Sequence, residues 1–383
     1  MKIDIFNQTV ELAGSTAVAD YLRSELSSMP TSADSSDIYI EIVSGFKEEL
    51  SLGLTAGTKV TEDEIIIDRR TPVPVRGVKD LIHNYVGILG RQLRISRGPG
   101  RIEAEIRYDS RVTNHNSIVE EAFRSINRSY IYRSQNLAKV ILYNDIEPLI
   151  HQALLEEGAG FIHASCVSKN GQGLVLSGWG GAGKTSAATN LIETGDWNFV
   201  SDDLCLVSSD GLSQPYLKRV QLYPYNIDSQ DEQRTLEEAS FRDRLNWRLR
   251  ATVLGEKSVR RRIAPSDQYP ISNKDVNISA LIYLIREDRR DLTFETEELT
   301  LMARRAAATI GHEYETHIRD LRPLVATHPS VWPSGEDFIE GSAEMYERAF
   351  ESAACRLVRV PQTATPAELA EYLQRSVLPT TSF

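Results

Sequence analysis

Cysteine pairs, long apolar runs and an excess of positive charge are all missing from this chain of 383 residues. Its three cysteines, Cys166, Cys205 and Cys355, lie far apart, and none forms a CxxC pair, which excludes a disulfide framework and a zinc knuckle. The sequence contains no run of 18 apolar residues that could span a membrane, and its first residues lack the apolar core of a signal peptide. We therefore expect a cytoplasmic protein without a membrane contact.

The charge balance excludes a further class of protein. The net charge is −11, and only 10 of the 43 basic residues are lysine. Proteins that bind nucleic acid through its phosphates normally carry a basic footprint, so the acidic total argues against a general nucleic-acid binder. Hydrophobic residues make up 41% of the chain, enough to bury large cores, and the length suits two domains.

Residues 1–144 have the pattern of one mixed α/β domain. Alternating stretches predict strands at KIDIF, DIYIEIV, EIIID and RIEAEIRY, and helical spacing marks TAVADYLRSEL, KDLIHNYVGIL and SIVEEAFRSI. No catalytic motif occurs in this region. His83 and His115 stand alone, and we interpret them as structural or exposed residues. The role of the domain is not indicated by its sequence.

A second domain is predicted over residues 145–383. Asp145 is placed to cap a helix with Pro148 in its first turn, and this helix is our predicted boundary between the domains. After it, two apolar strands flank KNGQG, in which Asn-Gly is a strong hairpin signal. The segments KTSAATNLIETG and WNFVSDD then predict a helix and a buried strand.

The remaining elements are predicted from periodicity and capping. The apolar run ISALIYLI predicts a central strand, helices are expected near 295–310 and 336–353, and CRLVRVP indicates a late strand. The last helix has three agreeing signals: Thr365 as its cap, Pro366 at its first position, and Glu368 to complete a capping box.

The stretch LVLSGWGGAGKT carries a phosphate-loop motif between a predicted strand and a predicted helix. Gly178, Gly183, Lys184 and Thr185 satisfy G-x-x-x-x-G-K-[ST]. The glycines let backbone N–H groups surround an anion, Lys184 supplies charge for the β and γ phosphates, and Thr185 offers a hydroxyl to Mg²⁺. The predicted ATP-binding residues are Gly178, Gly180, Gly181, Ala182, Gly183, Lys184, Thr185 and Ser186.

Two adjacent acids, Asp202 and Asp203, end the strand that follows the phosphate-loop helix. Ligands of open α/β sheets lie at the carboxyl ends of strands, so both acids are expected at the same crevice as the loop. Adjacent carboxylates can divide the work of holding Mg²⁺ and of accepting a proton from an attacking hydroxyl.

Residues 160–208 together resemble the catalytic core of the HPr kinase/phosphorylase superfamily. The shared order is a histidine-containing strand, a hairpin, a phosphate loop, a helix ending in glycine, and a strand ending in Asp-Asp. The resemblance implies an α/β, P-loop kinase core of the HPr-kinase/PEP-carboxykinase type and an ATP-dependent kinase acting on a seryl-type hydroxyl. By position it implies that His163 acts near the transferred phosphate and that Asp202 accepts the proton. Mg²⁺ would be held by Thr185 and Asp203.

The chain also departs from the family pattern. The usual His-Gly is His163-Ala164, the loop ends in Thr185 where the bifunctional bacterial enzymes have serine, and a second glycine-rich signature is absent. Dephosphorylation by phosphate attack is therefore not expected. The acceptor stays open as a protein, a peptide or a small molecule, and the resemblance also implies a homo-oligomer.

Residues 241–262 hold eight basic residues against two acids. A solvated surface, charge stabilisation at the active site and docking of an acidic partner all fit this pattern. An RNA or DNA patch is a further alternative, which the lack of interleaved aromatic residues beyond Trp247 disfavours. Two alternatives to a kinase stay open for the whole chain: a nucleotide-binding regulatory module without catalysis, and a P-loop ATPase.

Overall fold

The computed structural model describes residues 1–45, 57–60, 64–68, 91–98, 101–108, 133–222, 261–319 and 335–378. Helices and mixed sheets both occur, which confirms the predicted α/β class. Within these ranges, no helix combines the length and the apolarity needed to cross a membrane. His83, His115, the helices predicted at 79–89 and 117–126, and the basic segment up to residue 260 lie outside the described residues.

The strands β1 to β18 are, in chain order, Lys2–Ile5, Gln8–Ala13, Ile38–Ser44, Gly57–Val60, Glu64–Asp68, Arg91–Gly98, Arg101–Tyr108, Ala159–Ile162, Ala164–Lys169, Gln172–Gly178, Asn198–Ser201, Cys205–Ser208, Leu212–Gln214, Val220–Leu222, Arg261–Ile263, Val276–Glu287, Thr293–Thr296 and Ala354–Pro361. The α-helices α1 to α7 are Ala17–Glu25, Arg133–Ile141, Glu147–Glu156, Lys184–Thr194, Leu299–Glu313, Gly335–Ala349 and Pro366–Tyr372. The predicted strands and helices that fall within the described ranges are thereby confirmed as elements.

The chain divides into two compact units that are not continuous in sequence. The first contains Met1–His163, Leu206–Gln214 and Glu297–Ser352, and the second contains Ala164–Cys205, Pro215–Thr296 and Ala353–Phe383. This division differs from the predicted boundary at residue 144/145. That boundary lies inside a π-helical turn, Leu142–Ile146, which joins α2 to α3.

The predicted capping role of Asp145 was wrong. Helical backbone continues through this residue from α2, and no side chain caps α3 at its first residue. Leu137, Ile141 and Leu142 are buried, so the apolar face that drives helix formation begins well before Asp145. Pro148 lies in the first turn of α3, directly after the π-helical turn, so its missing N–H falls within continuous helical backbone.

The first unit contains a sheet with the strand order β1-β2-β3-β7-β6-β5-β4. Strands β2, β3 and β7 are parallel, and the other neighbours pair antiparallel. Alternation in β3 and β7 follows the strand period of two, since Ile38, Ile40 and Ile42 are buried while the residues between them are partly exposed. One face of this sheet therefore supplies core residues to the unit.

A buried histidine, His151, links three segments of the first unit through hydrogen bonds. The Nδ1 atom of His151 accepts the backbone N–H of Phe161 at 2.8 Å, and its Nε2 lies 2.9 Å from the Ser342 hydroxyl. Burial lowers the pKa of His151 to about 3, with the nearby charge of His317 acting in the same direction. The ring is therefore neutral at physiological pH, and its role is to satisfy polar groups in the core.

Six strands of the second unit form a mixed sheet in the order β11-β9-β10-β16-β18-β17, counted over the described residues. Strands β10, β16 and β18 are parallel, with Gly178 of β10 opposite Leu284 of β16. The apolar run that predicts a central strand is β16, paired on both sides. Its buried residues pack with α4 and α7 in one core.

The hairpin between β9 and β10 confirms the Asn-Gly prediction. Lys169 pairs with Gln172, which leaves Asn170 and Gly171 as the two loop residues. Their φ angles are 53° and 78°, and a two-residue type I′ turn requires positive values at both positions. This tight turn sets the register of β10, whose other end leads into the phosphate loop.

The last helix, α7, begins with the predicted capping box. The hydroxyl of Thr365 accepts the N–H of Glu368 at 3.2 Å, and the Glu368 carboxylate accepts the N–H of Thr365 at 2.7 Å. These backbone and side-chain hydrogen bonds lower the pKa of Glu368. The buried Leu369 of α7 contacts the position of Gly183 at the start of α4. The cap therefore stabilises a helix that supports the phosphate loop.

Replacing Thr365 by alanine removes the hydroxyl that caps α7. We expect Thr365→Ala to lower the free energy of unfolding by about 1 kcal/mol, a typical effect of losing an N-cap. Urea unfolding followed by circular dichroism measures the change. Thr300→Ala, at an exposed position of α5, is the control and should stay within about 0.5 kcal/mol of the unsubstituted protein.

Candidate active site

The topology of the second unit gathers several chain segments at one edge of its sheet. The parallel strands β10, β16 and β18 all end there, and the antiparallel strand β9 begins there, because Ala164 pairs with Ser177. Strand β11 is antiparallel to β9 and so also ends at this edge. The phosphate loop follows β10, and Asp202 follows β11, so the predicted loop and acids share one edge of the sheet.

The phosphate loop leaves the sheet at a point where only glycine fits. Gly178 has a φ angle of 143°, and a Cβ on this residue would lie 2.5 Å from the carbonyl oxygen of Leu284. Parallel pairing with β16 produces this close approach, since Gly178 stands opposite Leu284. Gly178 therefore ends the strand and starts the loop in a conformation that a larger residue would disturb.

Lys184 bonds to carbonyl groups of its own loop. It is buried at the start of α4, and its ammonium donates to the carbonyl oxygens of Gly178 at 2.7 Å and Trp179 at 3.2 Å. The lysine thus lies across the concave side of the loop, with its charge directed at the backbone that would surround a phosphate. Of the other predicted loop residues, Gly180 and Gly181 are exposed, Ala182 is buried, and Gly183 and Ser186 are partly exposed.

The hydroxyl of Thr185 and the carboxylate of Asp202 lie in direct contact. Thr185 Oγ1 donates to Asp202 Oδ1 at 2.9 Å, and Ser165 Oγ donates to the same oxygen at 2.5 Å. The last residue of the phosphate-loop motif and the first residue of the acid pair are therefore joined by a hydrogen bond. Ser165 was missed by the sequence interpretation, and the signal available for it was its place at the start of β9, two residues after His163.

The environment of Asp202 favours its protonated form. Removal of the carboxylate from water raises the pKa of Asp202 above the ordinary value of 3.8. The hydrogen bond from Ser165 opposes the rise, and the negative charge of Asp203 adds to it. A carboxylate with a raised pKa is a stronger proton acceptor than an ordinary aspartate, provided that it is ionised at the working pH.

Asp203 makes a different contact from its neighbour. Its Oδ2 atom lies 2.9 Å from the ammonium of Lys218, whose side chain is only 3% exposed, while the Asp203 side chain is 39% exposed. The backbone of Asp203 is left-handed, with a φ angle of 72°. Lys218 was missed by the sequence interpretation, because nothing in the local pattern of YLKRVQL indicates which acid its lysine meets.

A further basic residue, Arg286, lies at the same edge of the sheet. It follows the core of β16, and a Cβ built on Gly183 would lie 3.6 Å from its Nη2 atom. Its guanidinium donates to the carbonyl oxygens of Gln362 at 2.9 Å and Ala364 at 3.2 Å. The signal that could have found it is its position at the carboxyl end of a predicted central parallel strand.

His163 lies in a bend between β8 and β9 rather than within a continuous strand. It belongs to the first unit, whereas the loop and the acid pair belong to the second. Its Nε2 atom is 3.8 Å from the carboxylate of Glu313, at the end of α5. The predicted role of His163 therefore stays a prediction from the resemblance.

The oxygen atoms around Thr185 suit magnesium as a partner of bound phosphate. Carboxylate and hydroxyl oxygens are ligands that Mg²⁺ accepts, and it is usually held by one or two carboxylates together with substrate phosphates. In the described ranges, no group of three or more His, Cys, Asp or Glu side chains could hold a metal by itself. Thr185 and Asp203 could supply part of a coordination shell that phosphate oxygens would complete, although their contacts in the structure are to Asp202 and Lys218.

Comparison with known proteins does not add a family to this geometry. Neither a scan against protein-family models nor a search of curated proteins finds a match to the chain. The conclusions about function therefore depend on the residues at this edge of the sheet and on the resemblance of residues 160–208.

Adding a methyl group at Gly178 tests the geometry at the base of the loop. We expect Gly178→Ala to lower the free energy of unfolding by about 2 kcal/mol, because the new Cβ overlaps the Leu284 carbonyl. Thermal unfolding of the protein without nucleotide measures the effect. Gly180→Ala is a matched control in the same loop, since its Cβ meets no atom within 4 Å. Equal destabilisation by both variants would contradict the close approach.

Proposed function

We propose that the protein is an ATP-dependent kinase that transfers the γ-phosphoryl group of Mg-ATP to a hydroxyl acceptor of the seryl type. The observation that carries this proposal is the 2.9 Å hydrogen bond between Thr185, at the end of the phosphate loop, and Asp202. It means that a carboxylate with a raised pKa lies next to the hydroxyl that closes the loop. A protein that only senses nucleotide does not need a base at that position.

Each residue of the site has a defined task in this proposal. The N–H groups of the loop and the ammonium of Lys184 bind the phosphates, after Lys184 leaves the loop carbonyls that it now contacts. Asp202 orients the acceptor hydroxyl and takes its proton as the oxygen attacks phosphorus. Thr185 and Asp203 would hold Mg²⁺, which neutralises charge on the phosphate oxygens. Arg286 lies close enough to the start of α4 to add positive charge.

Two substitutions separate binding from transfer. Lys184→Ala should abolish tight ATP binding, measured by isothermal titration calorimetry, since the motif lysine supplies the main charge for the phosphates. Asp202→Asn should retain nucleotide binding, but its rate of phosphoryl transfer should fall at least about a hundredfold. Transfer is measured as label passed from γ-labelled ATP to acceptors in a cell lysate.

Lys169→Ala and Asp196→Asn are the controls, because Lys169 ends β9 and Asp196 precedes β11 at the sheet edge opposite the loop and the acid pair. Full transfer by Asp202→Asn would show that Asp202 is not the proton acceptor. Loss of magnesium-dependent ATP binding in that variant would instead indicate that the Asp202 carboxylate helps to bind the metal ion.

The raised pKa of Asp202 predicts how stability depends on pH. Because the folded state disfavours the ionised carboxylate, the stability contributed by the neutral form is present below the ordinary value of 3.8 and is lost as the pH rises through the folded pKa. Asparagine does not titrate, so the Asp202→Asn variant does not lose this stability as the pH rises. Its free energy of unfolding relative to the unsubstituted protein should therefore increase as the pH rises above 3.8 in urea titrations. A difference that is flat or decreasing over this range would contradict the burial of the charge.

A non-catalytic nucleotide-binding module is the second candidate. It predicts ATP binding without phosphoryl transfer to any acceptor, and its supporting observation is that Lys184 donates to two carbonyls of its own loop. A P-loop ATPase is a weaker candidate, because the net charge of −11 does not suit the nucleic-acid partners that many such enzymes use. ATP hydrolysis measured with and without DNA or RNA distinguishes it from the other two.

A further inference from the structure

The ion pair between Lys218 and Asp203 is unusual in placing a buried lysine on an acid of the candidate site. The side chain of Lys218 is 3% exposed, and its ammonium lies 2.9 Å from Asp203 Oδ2. Burying an ammonium is unfavourable unless a carboxylate compensates it, so the contact with Asp203 is the condition under which Lys218 stays charged in this position. The partner carboxylate keeps its access to solvent on its other side, with 39% exposure.

The surroundings hold both residues in place. Lys218 lies 5.6 Å from the ring centroid of Tyr216, within the range of a cation–π contact. Tyr216 is fully buried, and its backbone N–H donates to the carbonyl of Val200 in β11 at 3.2 Å. On the other side, the left-handed backbone of Asp203 turns this carboxylate away from the direction that an extended strand would give it. The two side chains of the ion pair therefore extend from backbone segments whose conformation is fixed by neighbouring contacts.

The pair changes what the site offers to a free metal ion. Asp203 is already compensated by a fixed positive charge, and within the described ranges no cluster of three potential metal-binding side chains supplements it. A divalent cation arriving alone therefore meets an ammonium beside one of the two carboxylates. When it arrives with ATP, the phosphate groups bring several negative charges and oxygen ligands that outweigh this repulsion.

We propose that Lys218 is a positioning residue that acts as an internal counter-cation. It keeps free divalent metal out of the site and makes metal entry conditional on bound nucleotide. The inference rests on the proposed function in taking Asp203 as a metal-side carboxylate. It goes further in assigning to a residue outside the phosphate-loop motif the control of when the metal binds.

The direct test measures metal affinity in the absence of nucleotide. Lys218→Met keeps most of the side-chain volume and removes the charge. The Mn²⁺ dissociation constant, read from the EPR signal of free Mn²⁺, should fall by about tenfold or more in this variant, as expected for removing a positive charge next to the binding carboxylate. Lys169→Met is the matched control, because Lys169 is at the opposite end of β9 from the site edge. It should bind Mn²⁺ as the unsubstituted protein does.

A double substitution shows whether the gain passes through Asp203. Asp203→Asn removes the carboxylate that Lys218 compensates and that the additional metal would contact. Combined with Lys218→Met, the same substitution should remove most of the gain. Unchanged Mn²⁺ affinity in Lys218→Met, or a gain that persists without Asp203, would overturn the proposal.

A third measurement uses the coupling between metal and nucleotide. The ratio of Mn²⁺ dissociation constants without and with a non-hydrolysable ATP analogue should be smaller in Lys218→Met than in the unsubstituted protein. Lys218→Gln gives an independent reading if the methionine variant does not fold, as judged by circular dichroism. Failure of the analogue to bind would count against the proposed function, whereas the nucleotide-free Mn²⁺ measurement tests Lys218 alone, so the two failures are distinguishable.

Discussion

One carboxylate oxygen joins three segments of the second unit. Oδ1 of Asp202 accepts hydrogen bonds from Ser165 at the start of β9 and from Thr185 in the first turn of α4. Hydrogen bonds to a charged acceptor are stronger than neutral ones, and removing the acceptor would leave two hydroxyls at this edge without their partner. This shared atom fixes the start of the helix after the phosphate loop against the acid pair.

The site keeps its positive charges on acceptors that the protein itself supplies. Lys184 donates to carbonyls of its loop, Lys218 pairs with Asp203, and Arg286 donates to the carbonyls of Gln362 and Ala364. Buried donors need partners, and the protein satisfies these three cations with its own carbonyl and carboxylate oxygens.

Local sequence patterns predicted most of the structural features that are formed by residues close together along the chain. The loop, the Asn170-Gly171 hairpin, the strand before Asp202 and the capping box at Thr365 each depend on residues within a few positions of one another. The contact of Lys218 with Asp203 and the carbonyl partners of Arg286 could not be predicted, because these contacts join separate segments of the chain. The division into units was also hidden, since the chain returns to the first unit after the site has been formed.

The carbonyl partners of Lys184 have a kinetic consequence for the proposed function. The bonds to Gly178 and Trp179 would have to break before the ammonium reached a phosphate, so nucleotide capture would include an internal rearrangement after the first encounter. The observed association rate would then level off at high nucleotide concentration. The indole of Trp179 is 51% exposed and belongs to the residue whose carbonyl is released. Its fluorescence gives the chain an intrinsic reporter of that step.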